Sequence, residues 1–91
     1  MMERKLLEMA DEIKRLGQDL RVSAEQLEHL ESDAEEARIR SMVSETPLSE
    51  ATFHEASRHA EAMRKHHDDV QQRIVDLETR QNELLDRMFG E

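Results

Sequence analysis

The sequence contains no cysteine, no tryptophan and no tyrosine, and its aromatic residues are Phe53 and Phe89 alone. Without cysteine there is no disulfide and no thiolate metal site, and the redox compartment stays open. A globular core of this size ordinarily draws on several aromatics, because each buries a large apolar area. A coiled-coil seam needs none, being filled by Leu, Ile, Val, Ala and Met. Long apolar runs are also missing, none exceeding three residues. That excludes a transmembrane span and a signal-peptide apolar core, so a cytoplasmic home is the default expectation. Basic residues are scarce, 13 Lys and Arg against 22 Asp and Glu, for a net charge of −9. Such a balance disfavours non-specific nucleic-acid binding, which requires neutralising phosphates, and no basic cluster suits a membrane surface.

Charged residues make up 38 % of the 91 and hydrophobic ones 36 %, a mixture compatible with disorder or with long amphipathic helices. Periodicity decides for helices. One strong break, Ser44-Glu45-Thr46-Pro47, divides the chain. Proline suits the first turn of a helix and threonine caps one, so Thr46 is expected as N-cap with Pro47 first in the helix; Ser49 is the alternative cap. The sequence therefore predicts one all-α domain over 1–91: helix one about 2–44, a turn about 45–46 and helix two about 47–89. Each helix is roughly 65 Å long. Gly90 is placed to end the second, while Gly17 inside the first costs roughly 1 kcal/mol against alanine.

Both segments carry a heptad. In the first, Leu6, Ile13, Leu20, Leu27 and Ala34 take position a, and Met2, Met9, Leu16, Ser23, Leu30 and Ala37 take d. In the second, Phe53, Ala60, His67, Ile74, Gln81 and Met88 take a, and Ala56, Met63, Val70, Leu77 and Leu84 take d. The short connection makes the two helices antiparallel neighbours, an antiparallel coiled-coil hairpin that is expected to dimerise into a four-helix bundle. Two registers are possible. Facing numbers that sum to about 90 set Leu6 on Leu84, Leu20 on Val70, Leu30 on Ala60, and polar Ser23 on polar His67. A sum of 97 sets Ser23 on Ile74 and His67 on Leu30, which leaves more polar groups against apolar ones. Flanking charges oppose each other in several places: Glu12 with Arg80, Asp19 with Arg73, Asp33 with His59, Arg38 with Glu50, and Glu31 with Arg64, with Lys5 near Arg87 the exception. Along the seam, side chains are expected to become small toward the turn, at Ala34, Ala37, Ser41, Ala51, Ala56 and Ala60.

Five histidines raise the question of a metal. His59 and His66 stand one heptad apart, roughly 10 Å along a helix, and the i, i+4 pair that holds zinc on a helix is missing. No metal and no cofactor is therefore expected. His67, at a core position, reads either as a polar residue that fixes register with Ser23 or as a pH-responsive switch. The acidic stretch Glu25 to Glu36 reads as a solvated face or as a docking surface for a basic partner. No nucleophile with its base, no phosphate loop and no paired-carboxylate cleft is visible, so no enzyme is expected. More informative are apolar residues outside the seam. Leu7, Ala10, Gly17, Ala24, Val75, Leu85 and Phe89 occupy e and b positions, which lie on one side of an antiparallel hairpin. They are the candidates for a homodimer interface. A second group at the turn, Ile39, Met42, Val43 and Leu48, is the candidate surface for a different protein. The function expected is a non-enzymatic interaction module, a scaffold, adaptor or regulator acting through helix–helix contacts. A metal- or pH-responsive histidine sensor is an alternative.

Leu48-Ser49-Glu50 followed by Phe53-His54-Glu55-Ala56, beside a helical turn, resembles the tip of Gre-type transcript-cleavage factors over residues 48–56. That resemblance implies a modulator of a transcription complex that works through the hairpin tip, where the family sets acidic residues to hold a metal. Pro47 stands where the family has one of those acidic residues, and no second domain is expected to follow. Secreted helical hairpins of the WXG type are similar in length, but no Trp-x-Gly occurs at this turn.

Overall fold

The structure, a computed structural model, describes residues 1–90. It is all-α: helix α1 spans Met2–Ser44, helix α2 spans Pro47–Phe89, and the two contact each other as an antiparallel hairpin. The break between them is built from local chemistry. Glu45 closes α1 by donating its backbone N–H to the Ser41 carbonyl at 2.9 Å, and it does so in the left-handed region, at φ 53°. Thr46 then caps α2. Its Oγ1 accepts from the Ser49 N–H at 3.1 Å, while Ser49 Oγ accepts from the Thr46 N–H at 3.2 Å. Thr46 and Ser49, the two candidate caps, thus act together as a reciprocal capping box with serine in the acidic residue's place. Pro47 fills the first helical position, where its lack of an N–H does no harm. At the far end, a Cβ on Gly90 would collide with the Asp86 backbone carbonyl, so the close approach that stops α2 requires glycine.

Contacts divide the chain into two compact units. The terminal unit joins Met1–Arg21 to the helix from Asp68 onward, and the turn unit is Val22–His67. In the terminal unit Val70 and Leu77 are buried, and Leu6, Met9, Ile13, Leu16, Leu20, Ile74, Gln81 and Leu84 are half-buried. In the turn unit Ser23, Ala37 and Ala60 are buried, and Leu27, Leu30, Ala34, Ser41, Phe53, Ala56, Met63 and His67 are half-buried. Burial therefore returns every three or four residues along each helix, the spacing of a left-handed coiled-coil seam. Ala51 departs from the expectation: it is exposed, because the heptad running back from Phe53 puts Ser49 at the seam and turns Ala51 outward. Met2 and Met88, the outermost seam positions, are exposed as well.

The register with numbers summing to about 90 is the one adopted. Leu84 shares a groove with Lys5 and Glu8, and Arg73 pairs with Glu12 at 2.8 Å. Arg73 was expected on Asp19; in this antiparallel seam a flanking arginine stands between carboxylates one heptad apart, and its long side chain reaches the more distant of them. Arg64 bridges Glu31 across the seam and Glu61 on its own helix at 3.0 Å. Arg38 was expected on Glu50, but it binds Glu35 one turn back at 2.6 Å, where the helix already holds the carboxylate within reach. Asp33 and His59 do not pair and line different grooves.

Candidate interaction surfaces

The terminal unit exposes large apolar side chains on one flank. Phe89 is 80 % exposed and Leu7 63 %, Leu85 is exposed near them, and Val75 is exposed farther along the same flank. Ala10 is exposed and Gly17 half-buried on the same flank. A Cβ on Gly17 would meet nothing within 4 Å. Packing within the hairpin thus gives no reason for glycine inside a helix, where it lowers stability relative to alanine. Ala24 is likewise exposed, within the turn unit. Val22, also exposed in the turn unit, was missed from the sequence: it stands at a c position, off both the seam and its e/b flank, and only a scan for apolar residues at every outward position would have found it.

The turn carries the second apolar group. Ile39, Met42, Val43 and Leu48 are all exposed, Val43 by 80 %. Nearby cations are held by carboxylates of their own helix. Arg38 donates two hydrogen bonds to Glu35 at 2.9 and 2.6 Å and a third to the Met42 sulfur at 3.2 Å. Arg40 pairs with Glu36 at 2.6 Å. The hydrogen-bonded Arg38 guanidinium holds the Glu35 carboxyl below its ordinary range, and Glu35 raises Arg38 in turn. A groove of about 520 Å³ runs beside the turn, lined by Asp33, Glu36, Ala37, Arg40 and Leu48 among others. Of the acidic stretch from Glu25 to Glu36, Glu31, Glu35 and Glu36 are already paired with arginines, which reduces the charge it can offer a basic partner.

All five histidines belong to the turn unit. His59 and His66 border a groove of about 350 Å³ with Leu30, Ala62 and Met63, and His54 stacks on Phe53 with ring centroids 5.8 Å apart. Among the described residues, no group of three or more His, Asp or Glu side chains is gathered closely enough to hold a metal ion. Ser23 is 1 % exposed and His67 half-buried. No buried side-chain polar atom among the described residues lacks a hydrogen-bond partner, so the polar layer is satisfied where it stands.

No protein-family model matches the chain, and comparison with curated proteins and with solved structures finds no significant match.

Proposed function

We propose that the chain is a non-enzymatic coiled-coil interaction module, a scaffold, adaptor or regulator, that works as a homodimer through the flank of its terminal unit. The observation that carries this reading is the gathering of exposed Leu7, Val75, Leu85 and Phe89 on one side of a two-helix unit. A single seam buries little apolar surface, and small folds with no disulfide gain stability by association. Helix flanks with apolar side chains at e and b positions are covered by other helices. No helix among the described residues is long and apolar enough to cross a membrane, and we place the module's work in the cytoplasm as part of the same proposal. The turn group at Ile39, Met42, Val43 and Leu48 remains for a different protein, and its exposure also supports the second reading, a transcription-complex modulator acting through the turn.

Light scattering at micromolar concentration tests the proposal. The wild-type chain should have the mass of a dimer, and Ala10→Glu with Leu85→Glu should split it, because an unpaired charge in a helix seam is costly to desolvate. A monomeric wild type refutes the homodimer. A dimer untouched by the double substitution moves the interface to the turn group, where acidic substitutions at Met42 and Val43 would then abolish it.

A further inference from the structure

The terminal unit's flank is ordered by level. With facing numbers summing to about 90, Leu7 lies beside Leu85 and Phe89 nearest the chain ends, and all three are exposed. Ala10 and Asn82 follow, and the level after them holds Lys14 and Glu78, all four exposed. Neither side chain makes a hydrogen bond or ion pair among the described residues, although the two stand at one level of the same hairpin. Beyond them Val75 is level with Gly17, where nothing of the hairpin lies within 4 Å of a would-be Cβ.

We propose that two copies pack these flanks about a two-fold axis that runs along the helices, so that α1 of each copy lies antiparallel to α2 of the other. This rests on the homodimer proposed above and specifies its geometry. Under that axis every level meets its own kind. Leu7 faces Leu85 of the other copy, Lys14 faces Glu78, and Val75 faces the space left by Gly17. The two levels of apolar contact enclose a charge pair that is made twice, once on each side of the axis. A two-fold perpendicular to the helices would instead set α1 on α1 and reverse the levels. Centred on the charged level, that axis would set Lys14 on Lys14 and Glu78 on Glu78; centred nearer the chain ends, it would lay the apolar group on the charged level or leave Val75 and Gly17 uncovered. Charge complementarity thus selects both the occupant, a second copy, and its direction.

The test is a charge exchange between separately purified chains. Lys14→Glu alone places like charges at both contacts of its own dimer, and so does Glu78→Lys; each should weaken association by about tenfold or more. Mixed, the two variants form a heterodimer in which both contacts are opposite in sign, and association should return to near wild type in sedimentation velocity. The chain has no cysteine of its own, so a second measurement is clean: a Leu7→Cys chain mixed with a Leu85→Cys chain should form a mixed disulfide in preference to self-linked pairs. A wild-type dimer with no recovery in the mixture, or with self-linked pairs dominating, overturns the axis while leaving the homodimer standing. A wild type that sediments as a monomer overturns both.

Discussion

Truncating Leu77 to alanine tests the seam where it is tightest. Leu77 is 6 % exposed in the terminal unit, so nearly all of its side chain is out of water. The change removes everything beyond Cβ, which at ~0.8 kcal/mol per buried carbon is about 2.4 kcal/mol of transfer energy. The cavity left behind adds to that, giving about 2.5–4 kcal/mol. Leu20, also on the seam but only half-buried, should lose less on the same substitution, about 1.5–2.5 kcal/mol. Leu7 is exposed on the flank, so Leu7→Ala should cost under about 0.5 kcal/mol when the protein is dilute. Urea unfolding followed by helical circular dichroism measures all three, with the slope checked to be unchanged. Running it at low and high protein concentration separates seam from interface, since a contact made only in the dimer contributes only where the dimer is populated. The expected order at low concentration is Leu77, Leu20, Leu7, with the Leu7 effect growing at high concentration. A Leu77→Ala variant within about 0.5 kcal/mol of wild type would refute the seam assignment.

The turn offers two substitutions of opposite sign. Thr46→Ala removes the hydroxyl that accepts from the Ser49 N–H and should destabilise by about 1 kcal/mol in the same unfolding assay. Glu45→Gly should stabilise, by up to about 1 kcal/mol, because Glu45 holds φ 53° and glycine reaches that region without a Cβ penalty. Glu35 supplies the pH prediction. Its folded carboxyl is held low by hydrogen bonds from Arg38, so its contribution is present above the unfolded value and is lost as pH falls through the folded one. Carboxyl-carbon NMR should show the Glu35 midpoint rising in Arg38→Gln, and an unmoved midpoint would mean that the pair does not form in solution.

The seam was legible because burial follows the apolar spacing: Leu6, Ile13 and Leu20 on α1 and Val70, Leu77 and Leu84 on α2 stand where a three–four alternation puts them. The register was legible too, from the requirement that polar Ser23 and His67 not face apolar Ile74 and Leu30. Pairing on the flanks was not. Arg73 reaches Glu12 and Arg38 turns back to Glu35, because long side chains choose among several carboxylates within a turn of helix, and differences between exposed pairs are small. The left-handed Glu45 was equally hidden. Its conformation follows from the need to end α1 immediately before a capped α2, and glutamate gives no local hint of it. The apolar flank could be read from e and b positions alone, whereas the open space around Gly17 depends on how the two helices pack against each other.

The small size of the turn unit's buried side chains bears on the order in which the chain folds. Its buried residues are Ser23, Ala37 and Ala60, whereas those of the terminal unit are Val70 and Leu77. Residues flanking the turn are close in sequence, and closing their loop costs little entropy. Yet they gain little apolar burial when they meet. The terminal residues gain more, but only after almost the whole chain has been brought back on itself. Speed and strength therefore sit in different units. Contacts beside the turn should form first and reversibly, with the barrier falling only when Val70 and Leu77 become enclosed. Native-state amide exchange would register this as faster opening in the turn unit than around Leu77, with the slowest amides marking the last contacts to form rather than the first.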